Sequence, residues 1–186
     1  MSASRQLIIL ILLLGLAGAS WWALTIVDPE RRQIFTTSKE GPDHFMENFT
    51  STKLNEAGIP LHQLKAVRLT HYPNEKHSEL TDPVMTFFKE DNSQWVASAK
   101  KGRVLDDGEE VFLEDDVFIR RPGADASSIT MNTRDLHILP NEDFAETSKS
   151  VVMQQSENTV TAVGMQAHFG QGVVDFLSEV RGWYVH

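Results

Sequence analysis

Two acidic clusters, Asp106-Asp107-Gly108-Glu109-Glu110 and Glu114-Asp115-Asp116, put seven carboxylates into eleven residues and raise the question of calcium. They lack the alternating oxygen ligands of an EF-hand loop, so solvated hairpin turns explain them better. His71 and His77 flank Pro73 six residues apart; that spacing reads as a solvated loop, and no metal site is expected. The G-x-S-x-G nucleophile elbow, the G-x-x-x-x-G-K-[ST] phosphate loop and H-E-x-x-H are all absent from the chain. The absence of cysteine removes disulfides, thiol catalysis and zinc–thiolate sites. Asn48-Phe49-Thr50 is formally a glycosylation sequon, but a three-residue match carries little information. No catalytic residue and no cofactor are expected.

The elements are set by apolar patterning. Leu7 to Val27 is a 21-residue run without a charge. As a helix it would span about 31 Å, the thickness of a bilayer's hydrocarbon core. A cleaved signal peptide is the rival reading, with Ala17-Gly18-Ala19 as an acceptable site. Apolarity continues through Trp21, Trp22, Leu24, Ile26 and Val27, which is long for a signal sequence's core. A retained transmembrane anchor is therefore expected. Arg5 before the span and Arg31 with Arg32 after it do not settle orientation by charge. A short head and a large trailing domain favour sending the domain outward.

The expected organisation is a cytoplasmic N-terminus at 1–6, an anchor at 7–27, a linker at 28–43 and one folded domain at 44–186. The linker is rich in charge and proline and has no periodicity. From residue 28 onward there are 16 Lys+Arg against 26 Asp+Glu, a net charge of −10. That argues against a nucleic-acid partner and against a broad polybasic dock on anionic lipid.

Beyond the linker, short strand-like segments alternate with turn signals. They are Phe45–Leu54, Ile59–Tyr72, Val84–Phe88, Trp95–Lys100, Val111–Leu113, Val117–Arg120, Ile129–Asn132, Leu136–Leu139, Val151–Gln155, Thr159–Val163, Met165–Phe169 and Val173–His186. No soluble segment keeps a 3.6-residue stripe, so little helix is expected outside the anchor. The pattern predicts an all-β antiparallel sandwich, jelly roll or open barrel. A weak repeat relates Gly108–Val117 to Gly172–Val180; Gly108 to Gly172 and Leu113 to Leu177 are each 64 residues apart. Alternation puts Val174, Phe176, Ser178, Val180, Gly182 and Tyr184 on one face of the last strand if no bulge intervenes. Met46, Met85, Met131, Met153 and Met165 fall in or beside predicted strands and suit either an adaptable apolar surface or an ordinary core.

Several segments together resemble the lipopolysaccharide export protein C (LptC) family. They are Leu80-Thr81-Asp82-Pro83-Val84-Met85-Thr86-Phe87-Phe88, Trp95-Val96-Ala97-Ser98-Ala99-Lys100-Lys101-Gly102 and the run Asp107 to Ile119. Upstream, Asn55 to Leu64, with a turn at Gly58, is similar to the family's first hairpin. The resemblance covers nearly the whole chain. It implies a twisted, open antiparallel β jelly roll on the periplasmic side of a Gram-negative inner membrane. It implies a lipid-transfer role in outer-membrane biogenesis: lipopolysaccharide received from an inner-membrane ABC transporter and passed to a periplasmic bridge protein of similar fold. Matching of hairpins puts Phe49, Leu80, Val174 and Tyr184 where the family's trough meets lipid. Alternation adds Met85, Phe87, Val111, Leu113, Val117, Ile119 and Phe176 as further inward residues. Val180, Arg181, Gly182, Trp183, Tyr184 and Val185 form a β-prone terminal edge expected to pair with a partner strand. A protein-binding scaffold without lipid and a jelly-roll enzyme are the competing readings; no enzyme activity is expected.

Overall fold

The computed structural model describes residues 13–22, 41–89, 93–105, 108–123 and 128–184. The chain divides into two compact units, Met1–Lys39 and Glu40–His186. In the first, helical backbone at 13–22 lies within the apolar run and is solvent-exposed. Among the described residues no helix is long and apolar enough to cross a membrane. The rest of the expected anchor, the N-terminus at 1–6 and residues 28–40 of the linker lie outside the described residues.

The second unit is one antiparallel sheet of eleven strands. They are β1 (His44–Leu54), β2 (Pro60–Tyr72), β3 (His77–Thr81), β4 (Val84–Phe88), β5 (Gln94–Ser98), β6 (Lys101–Leu105), β7 (Glu110–Arg121), β8 (Ile129–Leu139), β9 (Phe144–Gln155), β10 (Asn158–His168) and β11 (Val173–Trp183). The 3-10 turn Pro140–Glu142 joins β8 to β9. The all-β antiparallel expectation holds.

Two long strands organise the sheet. The first half of β2 pairs with β4 and its second half with β3. The first half of β7 pairs with β6, and its end with β5. β4 pairs with β5 and β3 with β6, so these six strands close a circuit. The break between β3 and β4 falls at Asp82, with φ 48, followed by Pro83, whose ring removes a ladder donor. Beyond the circuit, β1 adds to β2, while β8, β9, β10 and β11 follow β7 in order. β1 and β11 each have one paired neighbour among the described residues, so both outer edges are free.

A line of left-handed residues creases the sheet. It runs through Asp115 in β7 (φ 63), Asp135 in β8 (φ 51), Gly164 in β10 (φ 81) and Glu179 in β11 (φ 50). β9 carries an extra residue there, since Ser150 pairs with Val163 while Thr147 pairs with Met165. Side chains lock these bulges. The Asp115 N–H donates to Asp135 Oδ1 at 3.0 Å, the buried Thr147 hydroxyl to the Arg134 carbonyl at 2.8 Å, and the Ser178 hydroxyl to the Val163 carbonyl at 2.8 Å. At Gly164 the positive φ favours glycine, and the Leu177 side chain, 3.0 Å from where a Cβ would stand, would have to give way to any larger residue.

The crease corrects the segment count. Val111–Leu113 with Val117–Arg120 is one strand, β7; Ile129–Asn132 with Leu136–Leu139 is β8; Thr159–Val163 with Met165–Phe169 is β10. Each apparent gap is a bulge within a strand. The short strands β3 and β6 escape the sequence pattern, because HSELT and KGRVL offer one or two apolar side chains each. The expected loop around His71 and His77 is also corrected. His71 is in β2 and His77 in β3, and His77 is buried.

The core lies on the inner face of the sheet. Phe87, Trp95, Leu113, Ile119, Met131, Ile138, Met165 and Phe169 are all at most 1% exposed. The Phe169 ring stacks on Phe87 and lies 5.7 Å from Trp95, joining the last strands to the first hairpins. Among the described residues, Trp95 Nε1 is the one buried side-chain polar atom without a hydrogen-bond partner.

Candidate functional site

Next to this closed core is an open cleft of about 720 Å³ between β1–β2 and β6. Its apolar wall comprises Met46 and Phe49 from β1, Leu64 and Leu69 from β2, and Val104 from β6. A second cleft of about 450 Å³ runs from Leu64 and Ser51 toward Met85, Val111 and Pro140. The two share Ser51, Leu64 and Gly108, so they form one trough. Their volumes fall in the range of small-molecule sites.

The trough exists because β1 and β2 change face together. His44, Met46, Phe49 and Ser51 line it, and across the ladder they pair with His71, Leu69, Ala66 and Leu64. The inward residues therefore step by three, from 46 to 49 and from 66 to 69. Asn48, with φ 50, sits in that step. The intervening residues face away: Val67 is 51% exposed, and the Arg68 guanidinium lies 4.5 Å from the Phe45 ring.

One end of the trough has a basic and aromatic rim of His44, His71, His77 and Lys76. His44 stacks on His71 at 4.6 Å, and Tyr72 stacks on His77 at 5.3 Å. The His77 ring also lies 3.4 Å from the Glu75 carboxylate. At the other end the Lys53 ammonium donates to Asn141 Oδ1 at 2.5 Å, tying β1 to the turn before β9. His62 and Asp143 stand beside this tie. Burial pushes the His62 pKa down, helped by the Lys53 charge and opposed by Asp143. Burial pushes the Asp143 carboxyl up, opposed by His62.

The residues expected to touch lipid fall into separate groups. Phe49 lines the trough. Leu80 is buried with Ala66 and Leu69, and Phe49 and Leu64 pack against that group. Met85 and Val111 border the second cleft but are almost fully buried. Phe87, Leu113, Val117 and Ile119 are core side chains. Val174 and Phe176 are half-buried against the core from β11, opposite Ala167 and Met165. Tyr184 is 69% exposed, and its ring covers Gly182.

Along the terminal edge, the bulge at Glu179 interrupts the last strand, and from Leu177 onward every described residue is exposed. Val180, Arg181, Gly182 and Trp183 lie on the edge strand β11, which pairs with β10 on its other side; Val185 lies outside the described residues. Sequence reasoning missed Leu64, Leu69 and Val104 of the apolar wall and the histidines of the rim. Simple alternation loses the β1 and β2 residues at the three-residue step, while Val104 and His77 lie on β6 and β3, which the sequence pattern does not show.

The fold and the trough define an all-β protein whose sheet stays open at both edges beside an apolar cleft. The chain belongs to the lipopolysaccharide-assembly, LptC-related family, whose model matches residues 7–185. It therefore takes part in lipopolysaccharide transport. No curated protein matches the chain. Among solved structures it is similar to the crystal structure of LptH, the LptA homologous periplasmic component of the conserved lipopolysaccharide transport device from Pseudomonas aeruginosa. The two share 9% identity over 81% of this chain and 99% of that one, with a TM-score of 0.49.

Proposed function

We propose that the chain is an inner-membrane component with a periplasmic β domain. It receives lipopolysaccharide from an ABC transporter and passes it along the apolar trough to a bridge protein of similar fold. In this reading residues 1–6 are cytoplasmic, 7–27 form a single-pass anchor, 28–43 are a linker and 44–186 fold in the periplasm. The uncharged apolar run supports the anchor. The trough lined by Met46, Phe49, Leu64 and Leu69 is the observation that carries the transfer role.

The physical demand is large. A 12-carbon acyl chain represents roughly 10 kcal/mol of hydrophobic free energy, at about 0.8 kcal/mol per buried methylene. Releasing such chains into water at each step is prohibitive, whereas an apolar trough shelters them. The free edges of β1 and β11 offer strand addition toward neighbours on either side: β1 toward the transporter and β11 toward the bridge protein.

Photo-crosslinking in cells tests the reading. A crosslinking amino acid at Met46 or Phe49 is expected to capture lipopolysaccharide, while one at Val67, on the outer face of the same strand pair, captures far less. Equal capture on both faces rejects the trough. The tightly packed core favours a second reading, a scaffold that binds proteins without lipid. It predicts capture of polypeptide at β1 and β11 with no lipid at Phe49.

A further inference from the structure

The rim of the trough brings together a donor set that the transfer role does not use. We propose that Asp43, His44 and His71 form a binding site for a divalent transition-metal ion of the zinc class. A ligand atom from each residue lies within 4.8 Å of the other two. In a tetrahedral zinc site with bonds of about 2.0–2.2 Å, neighbouring donors stand roughly 3.3–3.5 Å apart. Asp43 Oδ1 and His44 Nδ1 are 2.8 Å apart, a hydrogen-bond separation that opens by roughly 0.5–0.7 Å on ligation. The other pairs close by at most about 1.5 Å, and Asp43 and His44 are exposed enough for their side chains to make these adjustments.

The backbone holds the three residues in place. His44 and His71 are direct partners across the β1–β2 ladder, so both imidazoles leave the sheet on the same side. The Asp43 N–H donates to the His71 carbonyl at 3.2 Å, extending that ladder by one residue and fixing Asp43 beside it. His71 Nδ1 lies 3.1 Å from the Ser78 hydroxyl, the kind of outer bond that orients a metal-binding imidazole and leaves its other nitrogen free.

The chemistry of the set selects the ion. Two imidazoles and one carboxylate suit zinc, copper or nickel; magnesium and calcium prefer oxygen donors. Three protein ligands leave a fourth position for water or for an anionic group. Because His44 and His71 line the trough, that position is at its rim. Lys76 shares the rim, and its positive charge opposes the bound cation; the Glu75 carboxylate nearby offsets part of it.

Titration calorimetry of the full chain in detergent micelles with zinc chloride tests the proposal. The expected result is one zinc per chain, no comparable heat with magnesium chloride, and at least tenfold weaker binding in His44→Ala and in His71→Ala. His168→Ala, whose histidine lies away from the trough on β10, is expected to bind as the parent does. His44 is exposed, so its variant reports on ligation even if loss of His71 disturbs the strand pair; metal-free thermal denaturation checks both. Zinc binding that survives His44→Ala in a folded chain overturns the site, as does the absence of stoichiometric binding in the parent.

Discussion

Phe87 and Phe169 stack with their ring centroids 4.5 Å apart and their planes 29° apart. Along the hydrogen-bonded path of the sheet, β5, β7, β8 and β9 all intervene between β4, which carries Phe87, and β10, which Phe169 follows. The sheet therefore curls until its inner face meets itself, and this aromatic pair, with Trp95 beside it, seals the meeting point. Phe87, Phe169 and Trp95 all belong to the packed core, and none of them lines the trough.

Replacing Phe169 with alanine removes the stack and leaves a cavity between distant strands. The expected loss of stability is about 3–5 kcal/mol, the usual cost for a buried phenylalanine. Chemical denaturation of the variant measures it. A loss below about 1 kcal/mol would mean that the two ends of the sheet do not depend on this contact.

Gly102 offers a second test of packing. A Cβ there would lie 2.7 Å from the Phe112 carbonyl oxygen and 3.2 Å from Pro83 Cγ. The nearer atom is backbone in the neighbouring strand, and it cannot swing aside. Gly102→Ala is expected to cost about 1–3 kcal/mol through overpacking. A melting temperature equal to that of the parent would show that β6 shifts freely over β7.

The sequence revealed the sheet more fully than the trough. Val84–Phe88 is apolar at every position but Thr86, and its limits as a strand match the sequence reading. The repeat at 64 residues also has a structural counterpart: the left-handed bulge residues Asp115 and Glu179 stand at that same offset. The two halves diverge in burial, since Leu113 is fully buried and Leu177 is 56% exposed. Faces were harder to read. Alternation carries a face only until the next bulge, and aspartate at φ near 50° in a strand looks like a turn in sequence. That is why β7 and β8 each read as two segments. The pairing of His44 with His71 depends on strand register across a 27-residue separation, and neither residue's local context signals it.

The group at the far end of the trough gives the protein a defined response to acid. The pKa of His62 is held below its usual 6.5 by burial and by the Lys53 charge. A depressed folded-state pKa contributes stability above the unfolded value, and that stability is lost as the pH falls through the folded one. Asp143 has the opposite sign: its raised pKa contributes stability at low pH that is lost as its carboxyl ionises. Acidification from neutral pH through and below the usual histidine range is therefore expected to lower the melting temperature through His62. Lys53→Gln removes a repulsion, so the His62 midpoint should rise and the acid loss shrink. Asp143→Asn removes an attraction, so the midpoint should fall. Titration of the His62 ring proton by NMR reads both shifts, and movement in the reverse direction would refute the assigned causes.

The free edge of β11 makes the last prediction. Val180, Trp183 and Tyr184 are each more than half exposed, on a strand whose outer side has no partner among the described residues. A lone protein gains nothing by displaying such an edge, which invites aggregation unless another strand covers it. Arg181 is the only charged residue from Val180 to Trp183, so little blunts the edge. These residues bury no core side chain, and the half-buried contacts of β11 come from Val174 and Phe176, before the bulge. Deleting residues 180–186 is therefore expected to leave the domain folded, with a melting temperature within a few degrees of the parent. It is expected to abolish capture of the bridge protein in a pull-down while association with the transporter persists through β1 and the proposed anchor. Undiminished capture by the folded truncation would move the docking edge away from β11. Loss of both partners together would mean that the two edges do not act independently.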